Sequence, residues 1–115
     1  MGTQKTYALI LGIVLGIVGV WGFFTQSILG IFGVNATQSV LHIIAGIFGI
    51  YVGTKGMGYG FNSSIGWIGI ILAVLGFIPG TSGLLASWLN INTATTVLHL
   101  VIGIVALGVY YSADK

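Results

Sequence analysis

Two histidines, His42 and His99, are the side chains best equipped for chemistry in this chain, and they sit in matching surroundings. The stretch Asn35–Gly46 reads NATQSVLHIIAG and the stretch Asn92–Gly103 reads NTATTVLHLVIG. Asparagine, the Val-Leu-His triplet and the closing glycine hold the same relative positions in both. On a helix, His42 and His99 fall about two turns below Asn35 and Asn92 on the same face, roughly 10 Å deeper. Gly46 and Gly103 lie one turn further along that face. Three kinds of chemistry fit an intramembrane imidazole. It can hydrogen-bond across helices and fix their packing, at about 0.6 kcal/mol per bond. It can ligate a haem, a chlorin or a metal. It can titrate or relay protons. The chain has no cysteine and a single acid, Asp114, so nothing nearby supplies a metal shell or a catalytic dyad. The packing role is therefore favoured, with no catalytic residue and no metal site expected; cofactor binding by His42 and His99 is the alternative. Asn35 and Asn92 each precede an apolar run and are expected to be N-caps, the side-chain oxygen accepting from a first-turn N–H. Asn35-Ala-Thr37 is formally a glycosylation sequon but lies too close to the membrane to weigh much.

The elements that hold these residues follow from composition. The chain of 115 residues is 57% hydrophobic and 3% charged, against roughly 25% charged for a soluble domain, so it cannot clothe a water-facing surface. Its formal charge of +2 is too small for a nucleic-acid partner or a polybasic lipid patch. Four apolar segments are separable: Lys5–Phe24, Ala36–Gly53, about Asn62–Ile78, and Thr93–Tyr111. Each is near the roughly 17–25 residues that cross a bilayer as a helix. They are continuously apolar, without the alternation of a barrel strand. The first is too long for a signal-peptide core, and no small-residue cleavage site follows it. A myristoylation-like pattern at Gly2 and Thr6 would add little anchoring to four spans. The expected fold is an all-α membrane protein: a four-helix transmembrane bundle of two parallel hairpin repeats, about 5–57 and 60–115, in a single domain covering 1–115.

Charge and aromatic placement give an orientation. Lys5, Lys55 and Lys115 fall on the three segments that share one side, which the positive-inside rule puts in the cytoplasm together with both termini. Tyr7, Tyr51, Tyr59, Tyr110 and Tyr111 lie towards that side, Trp21 and Trp88 towards the other, and Trp67 is placed near an interface at the start of the third helix. The inner connection, TKGMGYGFNSS, reads as a Gly-rich turn. The two outer connections, Thr25–Val34 and Gly80–Ile91, are uncharged and half apolar. They align so that Leu29-Gly-Ile-Phe-Gly-Val34 matches Ala86-Ser-Trp-Leu-Asn-Ile91. Short helical or turn segments lying in the interface are expected there. Two hairpins of the same orientation imply a pseudo-twofold axis along the membrane normal, with His42 and His99 at one depth. Small residues form stripes: Gly12, Gly16 and Gly19; Gly46, Gly49 and Gly53; Gly66, Gly69, Ala73 and Gly76; Gly103 and Ala106. Close helix packing explains these better than a pore, which would need polar rings the sequence lacks.

The doubled Asn-x6-His-x3-Gly motif, with Leu29-Gly30-Ile31-Phe32-Gly33-Val34-Asn35 ahead of Leu41-His42 and Gly46, and later Asn92, Leu98-His99 and Gly103, resembles a known family. That family is an uncharacterised domain of unknown function found in small four-helix prokaryotic membrane proteins, and the resemblance covers nearly the whole chain. The chain departs from it where the family often carries an extra Asn, Asp or His, since Gln38, Ser39, Thr95 and Thr96 occupy that stretch. The resemblance implies a fold and a membrane location and leaves activity open.

Together these readings lead to a small integral membrane protein of structural or accessory type. It would be non-enzymatic and without cofactor, with the lipid bilayer as its surroundings and a homo-oligomer or a larger cell-membrane complex as its setting. A haem- or chlorin-binding protein using His42 and His99 is the alternative, and a small transporter or channel a weaker one for want of acidic residues.

Overall fold

The computed structural model describes residues 2–113; Asp114 and Lys115, on which part of the charge argument falls, lie outside the described residues. The chain forms α1 (Thr3–Trp21), a two-stranded antiparallel ribbon of β1 (Ser27–Ile28) and β2 (Phe32–Gly33), α2 (Ala36–Thr54), α3 (Tyr59–Phe77), α4 (Pro79–Leu89) and α5 (Thr93–Ser112). Four of the five helices, α1, α2, α3 and α5, are long and apolar enough to cross a membrane. Their outward faces carry large hydrophobic side chains, among them Ile17, Ile47, Phe48, Ile71 and Ile104, each more than half exposed. In water such a surface is untenable; in hydrocarbon it costs nothing, and the helices satisfy their own backbone groups.

The helices pair as α1 with α2 and α3 with α5, and glycine sets both seams. A Cβ at Gly46 would lie 2.7 Å from both the Gly12 carbonyl oxygen and the Gly16 nitrogen. A Cβ at Gly103 would lie 2.9 Å from the Gly66 carbonyl oxygen and the Ile70 nitrogen. Towards the outer end, Gly22 receives the Ser39 hydroxyl and Gly76 receives the Thr96 side chain, in the same register relative to those seams. Lipid offers no hydrophobic drive between helices, so backbone-to-backbone approach of this kind supplies the dispersion contact that holds them. Gly12, Gly19, Gly49, Gly53, Gly66 and Gly69 are all closed by a facing helix or side chain, whereas the Cβ direction of Gly16 is open.

Two features differ from the sequence reading, the first outer connection and the start of α3, while the second outer connection is helical as expected. The first outer connection, Thr25–Val34, is neither helix nor simple turn but the β1–β2 ribbon, with Ser27 opposite Gly33 and Ile28 opposite Phe32. Its turn takes Leu29 to φ 58° and Gly30 to φ 71°, which closes the Ile31 N–H onto the Ile28 carbonyl at 3.1 Å. The second connection is helical because Pro79, with φ fixed and no N–H to satisfy, starts α4 at its first residue. α3 also begins earlier than Asn62, at Tyr59, since the Asn62 N–H already bonds back to the Gly58 carbonyl at 3.0 Å. This shortens the inner turn to Lys55–Gly58 and puts Trp67 midway along α3, away from either interface.

Candidate functional site: the polar junction between the hairpins

At the end away from Lys5 and Lys55, two asparagines do the same two jobs. Asn35 precedes α2, and its Oδ1 accepts from the Gln38 N–H at 2.8 Å; Asn92 precedes α5, and its Oδ1 accepts from the Thr95 N–H at 2.9 Å. Each cap also reaches across to the other hairpin. Asn35 Nδ2 donates to the Trp88 carbonyl at 2.9 Å, and Asn92 Nδ2 donates to the Ile31 carbonyl at 2.9 Å. Ile31 and Trp88 are the residues that align in the two outer connections, so the contacts are exchanged.

One layer deeper, Gln38 Nε2 donates to the Gly33 carbonyl at 3.2 Å and to the Leu89 carbonyl at 2.7 Å. Thr95 Oγ1 lies 2.8 Å from Asn92 Oδ1 and 3.1 Å from the same Gly33 carbonyl, its one proton shared between the two acceptors. Gln38 and Thr95, at matching positions on α2 and α5, therefore meet at one oxygen. Gly33 is pressed against Asn90, its own counterpart in the alignment, so closely that a Cβ would collide with the Asn90 carbonyl oxygen. Asn90 ends α4 in the left-handed region at φ 55°, which an asparagine tolerates, and its Nδ2 donates to the carbonyls of Val34 at 2.7 Å and Gln26 at 3.1 Å. Burial follows the same matching: Ile28 and Leu85, Val34 and Ile91, Gln38 and Thr95, Ser39 and Thr96 are all buried.

His42 and His99 stand one turn below Gln38 and Thr95 on the faces that meet at the Gly33 carbonyl. Both side chains are partly buried. Their Nδ1 atoms are fully buried without a hydrogen-bond partner, and so is Gln38 Oε1 directly above. Among the described residues no group of three or more His, Cys, Asp or Glu side chains converges.

The opposite end has a second polar cluster, which sequence reasoning did not single out. Gln4 on α1 donates through Nε2 to the α5 carbonyls of Val109 at 2.8 Å and Tyr110 at 3.2 Å, and to Ala113 at 3.3 Å. Asn62 on α3, wholly buried, donates through Nδ2 to Gln4 Oε1 at 2.8 Å and to the Gln4 carbonyl at 3.0 Å. A single glutamine thus ties three helices. Nearby Lys55 Nζ lies 5.7 Å from the Tyr51 ring centroid, a cation–π approach, and Tyr110 and Tyr111 meet edge to face at 4.9 Å.

A family model described as a domain of unknown function (DUF4383) matches residues 5–112, which takes in every helix named above. Among curated proteins and among solved structures, nothing matches the chain significantly.

Proposed function

We propose, for a chain that belongs to the DUF4383 family of domains of unknown function, a structural or accessory role as a small multi-pass membrane protein, non-catalytic, acting as a homo-oligomer or as a subunit of a larger membrane complex. The observation that supports it is the use made of the interior polar groups. Asn35, Asn92, Gln38, Thr95, Gln4 and Asn62 bond the hairpins to one another, and among the described residues no acid or thiol stands beside them. The halves about 5–57 and 60–115 are read as repeats related by a pseudo-twofold axis along the membrane normal. The exchanged bonds from Asn35 and Asn92 support this, because a twofold makes each half contact the other through the same residues. The bundle end carrying Lys5 and Lys55 is assigned to the cytoplasm, in a cell membrane, with both termini there.

The test is purification in mild detergent, followed by an absorption spectrum and native mass spectrometry. A colourless preparation that holds a defined oligomer or a stoichiometric partner is the expected result. A Soret or chlorin band that disappears in His42→Ala and His99→Ala would replace this reading with the pigment-binding one, which the unpartnered Nδ1 atoms favour. pH-dependent ion flux in liposomes would replace it with transport. Reporter fusions at the C-terminus read the orientation, and a signal on the outer side would reverse it.

A further inference from the structure

We propose that the first hairpin holds one membrane glycerolipid from the leaflet at the Asn35 end, with an acyl chain in a groove beside the α1–α2 seam and its oxygen-bearing end at Gln26. The groove measures about 590 Å³ and is lined by Ile13, Gly16, Ile17, Val20, Trp21 and Ile50. Gly16 opens it. The Gly16 nitrogen lies against Gly46, as the Ile70 nitrogen lies against Gly103 in the other hairpin. The seam uses only backbone at this position, since isoleucine serves in the second hairpin. The Cβ direction of Gly16 points into open space. Glycine inside a helix costs about 1 kcal/mol against alanine, and facing lipid it also forgoes dispersion contacts. Packing within the chain does not offset that cost, whereas an occupant of the groove does.

Length and polarity choose the occupant. From Ile13 to Trp21, α1 rises about 12 Å. One leaflet's share of a hydrocarbon core of roughly 30 Å is about 15 Å. The groove therefore suits one tail from one leaflet. A helix of a second copy would cross both leaflets, and a stable protein interface takes roughly 20–30 residues a side, far more than line this groove. Beyond Trp21 the character changes. The next residues, Gly22 to Gln26, line a pocket of about 360 Å³ together with Asn35 and Ala36. Ala36 and Ile50 are about four turns apart on one face of α2, so pocket and groove open on the same side. No charged side chain lines the pocket. Gln26 is exposed, and its side-chain amide takes no part in the bonds of the junction, so it can donate to an ester or headgroup oxygen. Phe24 beside it is 84% exposed, an apolar surface that a lipid covers. Recognition here is by shape and hydrogen bond, without regard to headgroup charge. The second hairpin has Ile70 in place of Gly16, which sets the count at one lipid per chain.

The test uses the full chain in mild detergent, with a phosphatidylcholine brominated midway along its tails as probe. Native mass spectrometry should show one lipid retained per chain. In the Trp67→Phe, Trp88→Phe background Trp21 is the one remaining tryptophan. Its fluorescence should be quenched with saturation at one lipid per chain, a readout that needs no groove variant to fold. Gly16→Ile copies the residue of the other hairpin into open space, and it should lower the affinity about tenfold. Gln26→Leu should lower it less. Gly108→Ile, at an open glycine outside the groove, should leave it unchanged. Phosphatidylglycerol should bind as well as phosphatidylcholine, and raised salt should weaken neither. Quenching that does not saturate, an affinity that Gly16→Ile leaves unmoved, or a marked preference for phosphatidylglycerol would each overturn the proposal. A dimer that Gly16→Ile dissociates with no change in lipid retention would give the groove to a second copy instead.

Discussion

The two ends of the bundle join the same hairpins by different means. At the Asn35 end the cap links are mirrored, Asn35 to Trp88 and Asn92 to Ile31, while Gln38 and Thr95 meet on the single Gly33 carbonyl and Asn90, set against Gly33, bonds Val34 and Gln26 without a counterpart. At the inner end the link is one-sided. Counting back from Gly12 and Gly66, which lie under Gly46 and Gly103, the matched pairs are Ala8 with Asn62 and Gln4 with Gly58. Only one member of each pair is polar. Gln4 bonds α3 and α5, while Gly58 offers only the space that Gln4 needs. Reciprocity is kept where the halves exchange backbone contacts through caps. It is lost where a single long amide can reach three helices and a second would collide with it.

The largest expected effects come from the glycine at each end that is pressed on a backbone carbonyl. Gly33→Ala would drive a Cβ into the Asn90 carbonyl, and Gly58→Ala would drive one into the Gln4 carbonyl. Neither obstacle is a flexible side-chain tip, so each substitution should cost about 1–3 kcal/mol. Reversible unfolding in mixed micelles measures it, and neutrality of either would mean the hairpins do not dock as described. Next comes the one-sided link. Gln4→Ala should cost about 1–3 kcal/mol by removing the bonds to α5 and one of the two acceptors of buried Asn62, which keeps only the backbone carbonyl of residue 4, and Asn62→Ala should cost a similar amount. A double-mutant cycle should show strong coupling between them, whereas additive losses would separate the two residues. The caps should behave nearly alike. Asn35→Ala and Asn92→Ala each remove a cap worth about 1 kcal/mol and a cross-hairpin bond worth about 0.6 kcal/mol, and Asn92→Ala also loses the Thr95 hydroxyl, so its melting shift should be slightly the larger. A large difference between them would break the comparison at its reciprocal end. The smallest effect is a gain: Leu29→Gly relieves a left-handed leucine and should stabilise by about 1 kcal/mol, with no matching gain at Ala86, whose helix has no such residue.

The sequence is most informative where a residue acts through its own helix. Asn35 and Asn92 ahead of apolar runs cap in the structure, and the glycine stripes mark the seams, because cap and stripe are local patterns. The four spans are legible from length and polarity alone. Gln4, Asn62, Gln38, Asn90 and Thr95 are not, since a lone amide near a span end looks the same whether it faces headgroups or another helix. Their roles depend on which chain segments lie opposite. The signal that could have pointed to Gln38 and Thr95 was their position, one turn above each histidine and on the same face. The β1–β2 ribbon was hidden for a different reason: leucine at φ 58° is disfavoured by its Cβ, so Leu29-Gly30 does not advertise the turn it makes. The helical second connection was readable from Pro79.

The near-equal lengths of the spanning helices carry a consequence for where the protein can reside. At 19 or 20 residues apiece they present a hydrophobic band about 28 Å tall. The whole molecule extends 40 Å along its longest axis, with the uncharged ribbon and α4 completing the outer end. Such a band fits a bilayer of ordinary or slightly thin hydrocarbon width without tilt. In thicker lipid the hairpins must tilt or draw the membrane inwards around them, and with no lysine among the described residues at the Asn35 end to snorkel, the correction there falls on Trp21, Trp88 and the lipids themselves.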